Sequence, residues 1–265
     1  MITTNLLTDS EAKRIVDRNG NFSVLEYTRD LSVSPDTAEA AYFASMMNVR
    51  KRQLIAGIVP GAGVVAQRGA MQLMLGDLNA KTDVSGVGDL MKKFVGSKVT
   101  GESAIKPLFT GTGTLVLEPT FRYIILEDIS TWPEGMVIED GMFMACDERV
   151  NIRISARSTA SSVVFGGEGI FNTSLSGQGI AALESSVPRS ELVEIRLEND
   201  TVKIDGNMAL AWSENLKFTV ERTTPTLIGS MASGEGFVNV YRGTGRILVA
   251  PVQTNRGITV PEKTK

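Results

Sequence analysis

The phrase "FTGTGTLVLEP", residues 109–119, occurs in three versions in this 265-residue chain. The other two are "LSGQGIAALES" at residues 175–185 and "YRGTGRILVAP" at residues 241–251. A spacing of 66 residues, and then of 66 again, separates their first glycines, Gly111, Gly177 and Gly243. A fixed period of this length indicates tandem copies of one structural unit.

Each phrase has a second glycine two positions after the first. A strand that bends sharply, or passes close to another backbone, has no room for a Cβ atom there, and glycine also adopts positive φ at little cost. Three equally spaced bends predict three equivalent corners about one axis, which is a pseudo-threefold β body. We therefore predict structural glycine bends at Gly111, Gly113, Gly177, Gly179, Gly243 and Gly245.

Apolar and polar residues alternate in many short segments, with the period of a β-strand. The stretch "DERVNIRIS", residues 147–155, lies over "SENLKFTVE", residues 213–221, at the same 66-residue offset. Short runs of this kind, separated by turn-forming residues, predict a mainly β fold such as a sandwich, a barrel or a β-helix-like roll. Helices are predicted only at residues 9–19 and within residues 82–96.

The 66-residue period also predicts a division of the chain into units. The segment with the third glycine pair is too short to be a full unit, so we expect it to complete the first one. The predicted organisation is an N-terminal segment with a short helix (1–22), a first β unit (23–98), a second (99–164), a third (165–230), closing strands that complete the first unit (231–253) and a flexible tail (254–265).

Several phrases resemble those of a known family. They are "GAMQLMLGD" at residues 69–77 and an ordered series of Gly-Glu phrases, at Gly101, Gly167 and Gly234, each followed by a Gly-x-Gly phrase. In this order the chain resembles the altered-inheritance-of-mitochondria family of number twenty-four, whose bacterial members form a domain of unknown function. The resemblance implies three tandem units, each similar to the subunit of the tryptophan RNA-binding attenuation protein (TRAP), a short double-stranded β-helix. It also implies a homotrimer, and it offers no catalytic residues to carry over.

The absence of histidine limits the chemistry that this chain can perform. Histidine is the most frequent general base and transition-metal ligand, and it belongs to the Ser-His-Asp arrangement. The one cysteine, Cys146, lies between apolar and acidic residues and is predicted to be a buried, inert thiol. We therefore predict no enzymatic activity, no cofactor and no metal site.

Gly61-Ala62-Gly63 matches the start of a dinucleotide-binding fingerprint. That fingerprint needs a strand–helix–strand context, whereas the surrounding chain predicts short strands, so we interpret these glycines as structural. The apolar run that contains them, residues 54–66, is too short to span a membrane, since a spanning helix needs about 20 apolar residues.

The charge of the chain does not favour nucleic acid as a partner. The formal net charge is −3, whereas nucleic-acid binders usually carry a basic face. We interpret the two basic runs, residues 50–52 and 92–93, as solvated edges of strands or helices. Met46, Met47, Met71 and Met74 are predicted to lie in the core or in a subunit interface rather than in a ligand site.

Together these features predict a non-enzymatic β scaffold that forms homo-oligomers, with an unidentified protein partner. A single cysteine, and acidic residues that interrupt the N-terminal segment where a signal peptide would be apolar, favour the cytoplasm. Two alternatives stay open. One is a small-molecule-binding module, with a ligand inside the β body or between units. The other is an RNA-binding protein, by fold analogy alone.

Overall fold

The computed structural model describes five ranges of the chain, residues 2–82, 106–156, 171–205, 208–222 and 237–251. These ranges contain sixteen β-strands and one α-helix, α1 (Ala38–Met46), which confirms the predicted mainly β fold with few helices. The strands are β1 (Lys13–Asn19), β2 (Phe22–Tyr27), β3 (Arg52–Ile58), β4 (Val64–Ala66), β5 (Met71–Lys81), β6 (Leu108–Leu117), β7 (Tyr123–Asp128), β8 (Met136–Ile138), β9 (Phe143–Asp147), β10 (Val150–Ala156), β11 (Phe171–Gly177), β12 (Ile180–Ser185), β13 (Val193–Asp205), β14 (Ala209–Ser213), β15 (Lys217–Arg222) and β16 (Phe237–Val249).

The strands form two sheets. The first has nine strands in the order β1-β2-β3-β6-β4-β9-β12-β7, with β5 on the outer edge of β6, and it forms a near-closed barrel in which β1 and β7 contact each other. The second has seven strands in the order β10-β11-β8-β14-β16-β13, with β15 on β16, and it forms a curled half-barrel. All strand pairs in the described ranges are antiparallel. Antiparallel strands need no crossover helix, which explains the low helix content.

Two glycine pairs lie inside the long strands β6 and β16 and the third lies between β11 and β12, and at each pair the neighbouring strand is interrupted. β6 pairs with β4 before Gly111 and with β3 from Gly113 onward. β16 pairs with β15 up to Arg242 and with β14 from Ile247. In the middle copy the long strand is itself divided, into β11 and β12, which pair with β10 and β9. Through this division the chain passes from one sheet to the other.

Strand pairing crosses the predicted unit boundaries. Those at 98/99, 164/165 and 230/231 each separate two strands that pair with each other, β5 from β6, β10 from β11, and β15 from β16. The described part of residues 231–253 is mainly β16, which pairs with β13, β14 and β15. A repeat fixes the spacing of equivalent positions but not the residue at which a unit begins. By their pairing, the glycine-bearing strands and their neighbours lie within residues 52–117, 123–185 and 193–249.

Three apolar clusters form most of the core. One lies inside the barrel, one lies between the two sheets, and one lies against the half-barrel. Both tryptophans, Trp132 and Trp212, are buried, and neither lies at a surface rim. Representative members of the three clusters are Phe22, Leu54 and Leu115 in the first, Met136, Leu175 and Leu248 in the second, and Trp212, Tyr241 and Ile247 in the third.

The helix predictions need correction. Residues 9–19 do not form a helix, because Lys13–Asn19 pairs with β2 as β1, and this cross-strand pairing outweighs a weak local helix propensity. Residues 83–96 of the second predicted helix lie outside the described ranges. The alanine-rich helix α1 was not predicted. No helix in the described part of the chain is long and apolar enough to span a membrane.

Candidate functional site

Helix α1 lies in the connection between β2 and β3, outside the core. Its alanine-rich sequence favours a helix, yet none of its nine residues is buried. After the helix, Arg52 at the start of β3 attaches the chain to the barrel wall. The guanidinium of Arg52 donates a hydrogen bond to the carbonyl of Asn48 at 3.3 Å and lies 3.9 Å from the ring centroid of Tyr123. The helix is therefore attached at its C-terminal side, and none of its own residues is buried.

An open groove of about 850 Å³ lies between α1 and the adjoining ends of β2 and β3. This volume is within the range of small-molecule sites, about 300–1,000 Å³. Three cationic side chains, Arg29, Arg50 and Lys51, contribute to the lining. The rest of the lining is mainly apolar and includes Leu31, Val33, Ala41, Met46, Val49 and Phe121.

A second cavity of about 400 Å³ shares Asp30 and Lys51 with the groove. The Nζ atom of Lys51 lies 2.8 Å from Oδ2 of Asp30. Hydrogen bonds from Lys51 and from the hydroxyl and backbone N–H of Ser32 lower the pKa of Asp30 to about 2. Asp30 is therefore ionised at neutral pH and paired with Lys51 in the wall common to both cavities.

Next to the groove, Glu26 is surrounded by three arginines. In the register of the barrel, Glu26 of β2 lies directly opposite Arg14 of β1 and Arg52 of β3. Its Oε1 atom accepts hydrogen bonds from Arg14 at 2.9 Å and from Arg50 at 3.0 Å, and its Oε2 atom accepts one from Nε of Arg52 at 3.0 Å. A terminal nitrogen of Arg52 also lies 2.8 Å from Oε2, as an ion pair. Burial acts to raise the pKa of Glu26, but the three guanidiniums together hold it below its ordinary value. One carboxylate thus faces three positive charges, which leaves an excess of two.

Arg50 belongs both to this cluster and to the groove. One of its terminal nitrogens bonds Glu26, and the residue contributes to the groove lining. Its Nε atom is buried and has no hydrogen-bond partner within the described residues. A buried donor without an acceptor is costly, by roughly 1–3 kcal/mol.

The structure places the six predicted glycines at the interruptions of the neighbouring strands. A Cβ atom on Gly111, where φ is +123°, would lie 2.1 Å from the carbonyl oxygen of Asp77. A Cβ atom on Gly113 would lie 2.0 Å from the carbonyl oxygen of Leu75. Close approach of β5 therefore excludes side chains at this corner. The positions are Gly111 and Gly113 inside β6, Gly177 at the end of β11, Gly179 just before β12, and Gly243 and Gly245 inside β16.

The glycines of the dinucleotide-like fingerprint lie in the turn between β3 and β4, and no helix follows them, so the fingerprint is structural. Gly63 accepts a hydrogen bond from the backbone N–H of Glu148 at 3.0 Å, and a Cβ atom on Gly63 would lie 2.6 Å from the Glu148 carboxylate. In the same way, the carbonyl of Gly135 accepts a hydrogen bond from the backbone N–H of Glu214 at 3.0 Å, and a Cβ atom on Gly135 would lie 2.6 Å from the Glu214 carboxylate. Glu148 and Glu214 are 66 residues apart, so the equivalence extends beyond the glycine pairs.

Within the described ranges, strand β5 has a free edge. It pairs with β6 along its whole length, and no described strand pairs with its other side. Met71, Leu73 and Met74 are 40%, 43% and 38% exposed. Met46 and Met47 beside the groove are 68% and 78% exposed, so none of these four predicted methionines is in the core.

Other predicted features have plainer outcomes. Cys146 is fully buried, as predicted, and burial together with the neighbouring Asp147 carboxylate raises the pKa of its thiol. Within the described ranges, no group of three or more acidic or cysteine side chains is arranged to hold a metal ion. The interpretation of residues 50–52 as a solvated edge is wrong, because the Arg52 side chain is only 3% exposed. The second basic run, residues 92–93, lies outside the described residues.

Sequence reasoning missed the Glu26 cluster. A usable pattern was present, since Arg50 and Arg52 are two positions apart at the start of a strand and alternation places such residues on one face. The acidic partner was not identifiable, because Glu26 lies 24 residues before Arg50 and meets it only through the pairing of β2 with β3.

Comparisons with known proteins give three findings. The family model described as "Mitochondrial biogenesis AIM24" matches residues 47–252. Uncharacterized protein M6_Spy0233 of Streptococcus pyogenes serotype M6 is 28% identical over 196 residues, which cover 71% of this chain and 77% of that protein. The X-ray crystal structure of protein SPYM3_0169 from Streptococcus pyogenes is similar with a TM-score of 0.56 at 22% identity, over 91% of this chain and 94% of that one. This last likeness shows a shared fold.

Proposed function

The chain belongs to the mitochondrial biogenesis AIM24 family, and on that premise we propose that it is a non-enzymatic β scaffold that assembles with copies of itself. The proposal that it is not an enzyme rests on the lack of histidine, which removes the most frequent general base. A cytoplasmic location and a protein partner stay predictions. RNA binding is not proposed, because it depends on fold analogy alone.

The free edge of β5 is the observation that carries self-assembly. An edge strand presents unpaired N–H and C=O groups, and proteins usually protect such an edge with charge, proline or a covering segment. Residues 71–76 of β5 contain neither charge nor proline, and three of them carry half-exposed apolar side chains. A second copy that pairs with this edge would satisfy the backbone groups and bury Leu73 and its neighbours.

We propose that the assembly is a trimer of chains, each built from three TRAP-like units in a pseudo-threefold arrangement. The 66-residue spacing of the bends, and the matched pairs Gly63 with Glu148 and Gly135 with Glu214, support equivalent corners. The first unit differs from the other two in chain order. Its outer strand, β5, follows β3 and β4, whereas β13 precedes β14 and β15 in the last unit.

Native mass spectrometry and light scattering of the full chain test the assembly. We expect a mass of three chains at micromolar concentration. Leu73→Lys should shift the protein towards monomer, because a charge would be buried at the paired edge. Val59→Lys is the matched control, since Val59 is 56% exposed in the turn after β3 and should leave the mass unchanged. A monomeric wild type, or a Leu73→Lys protein with the wild-type mass, would contradict the proposal.

Small-molecule binding is a second candidate function, and the groove beside α1 is the observation that favours it. The groove combines an apolar lining with cationic groups at one wall, which is the usual composition of a ligand site. Thermal unfolding in the presence of a library of apolar and amphiphilic compounds tests this function. An increase in Tm that saturates with ligand concentration would support it.

A further inference from the structure

We infer that the groove beside α1 binds a single-chain amphiphile with an anionic headgroup, of the chemical class of a long-chain fatty acid, and that Arg50 holds the headgroup. This inference rests on small-molecule binding, the second function proposed above. It adds the ligand class, the orientation of the ligand and the residue that selects it.

The lining of the groove fits an acyl chain. Side chains such as Leu31, Val33, Met46 and Phe121 offer apolar contact along the groove. Leu31 and Met46 are 78% and 68% exposed, so a hydrocarbon placed between α1 and the barrel would remove exposed apolar surface on both sides. The groove volume of about 850 Å³ is large enough for one such chain.

The charges around the groove select an anion. Glu26 accepts three hydrogen bonds from arginines and forms an ion pair with Arg52, and Asp30 is paired with Lys51. Arg29, the third cation of the lining, forms an ion pair with Glu11. The cluster around Glu26 therefore retains an excess of two positive charges, although the whole chain is acidic.

Arg50 is the cation best placed to bind the headgroup. Its side chain is 25% exposed and it contributes to the groove lining. A carboxylate or phosphate oxygen in the groove would accept a charge-assisted hydrogen bond from the exposed part of this guanidinium. The apolar tail would then extend along α1.

Calorimetric titration of the full chain with a headgroup series tests the inference without any mutation. Decanoate, decanol and decyltrimethylammonium share a ten-carbon chain and differ only in the headgroup. We expect decanoate to bind at least about tenfold more tightly than decanol, and the cation to bind most weakly. Lengthening the chain from octanoate to decanoate should increase the affinity by about threefold per methylene or more.

Three variants test where the headgroup and the tail bind. Arg50→Gln should weaken decanoate binding about tenfold and leave decanol binding unchanged. Arg18→Gln is the matched control, because Arg18 is an exposed arginine of β1 that belongs neither to the Glu26 cluster nor to the groove lining. It should change neither affinity by more than about twofold. Ala41→Trp, which fills the groove from α1, should abolish the binding of both ligands. Circular dichroism verifies that each variant is folded, and the wild-type headgroup series decides the inference even if Arg50→Gln fails to fold.

Three results would overturn the inference. Equal affinity for decanoate and decanol would contradict anion selection while leaving small-molecule binding intact. Binding of none of the monomeric ligands would contradict both proposals. Co-sedimentation with anionic phospholipid vesicles, without binding of monomeric decanoate, would identify α1 as a membrane-contacting surface instead.

Discussion

The carboxylate of Asp147 accepts a hydrogen bond from the backbone N–H of Ile180 at 2.7 Å, across the interruption between β9 and β10. Sixty-six residues further along, the hydroxyl of Ser213 accepts a hydrogen bond from the backbone N–H of Arg246 at 3.0 Å, across the interruption between β14 and β15. At both corners a side chain replaces the ladder partner that the break in the strand removes.

Asp147→Ala should destabilise the protein. The substitution leaves the buried N–H of Ile180 without an acceptor, and the free energy of unfolding should decrease by roughly 1–3 kcal/mol. Urea denaturation followed by the fluorescence of the two buried tryptophans measures the change. Asp140→Ala in an exposed turn is the control, with an expected change below about 0.5 kcal/mol. Equal stabilities of the two variants would show that the corner bond contributes nothing.

Alanine at the first corner should cost more than alanine at the last. Gly111 and Gly243 have nearly the same positive φ, +123° and +126°, so the conformational penalty of about 1–3 kcal/mol is common to both. Only at Gly111 does the new Cβ atom meet a backbone carbonyl, that of Asp77, at 2.1 Å. At Gly243 the nearest atom is a side-chain carbon of Leu216 at 3.6 Å. Thermal unfolding should show a markedly lower Tm for Gly111→Ala, and the reverse order would contradict the close approach of β5.

Glu26→Gln should lower stability in a pH-dependent way. Removing the carboxylate leaves three arginines without a counter-charge, which costs roughly 3–5 kcal/mol for a buried pair at neutral pH. The folded-state pKa of Glu26 is below its ordinary value of 4.5, so its contribution is fully present above pH 4.5 and is lost as the pH falls through the folded-state value. The stability difference between wild type and Glu26→Gln should therefore narrow below pH 4.5. Urea titrations from pH 7 to pH 3 test this, and exposed Glu134→Gln should show no such narrowing.

Cys146 should resist alkylation in the folded protein. Its side chain is buried, so the reagent cannot reach the sulfur, and burial raises the pKa of the thiol, so little of the reactive thiolate is present. Iodoacetamide at pH 8, followed by mass spectrometry, should label the chain slowly in buffer and rapidly in urea. Native labelling at the rate of free N-acetylcysteine would show that the region around β9 opens readily.

The fold was predictable where the pattern is local. Alternation of apolar and polar residues identified strands such as β10 and β15. Local reasoning was wrong at residues 13–19. It predicted a helix there, but these residues form strand β1 because they pair with β2. It also placed unit boundaries inside paired strands, since periodicity contains no information about which strand pairs with which.

The candidate site was mostly not predictable, because its parts come together through register. Arg14, Glu26 and Arg52 are neighbours only because β1, β2 and β3 align them across the barrel wall. A shift of one residue in either pairing would turn the arginines to the opposite face. The Nε–H of Arg50 has no acceptor in the described residues, because Glu26 accepts a hydrogen bond from a terminal nitrogen of that guanidinium instead. This arrangement also depends on strand register.

The sequence by itself determined that the chain is built of β-strands and that one Gly-x-Gly phrase recurs every 66 residues, because strand alternation and the steric need for glycine act within a few residues. Only the tertiary structure decided which strands pair with each other, which edge is unpaired in the described ranges and which charges meet beside α1. Those features depend on the pairing and register of strands distant in sequence, and the free energies that select one pairing over another are sums over the whole core.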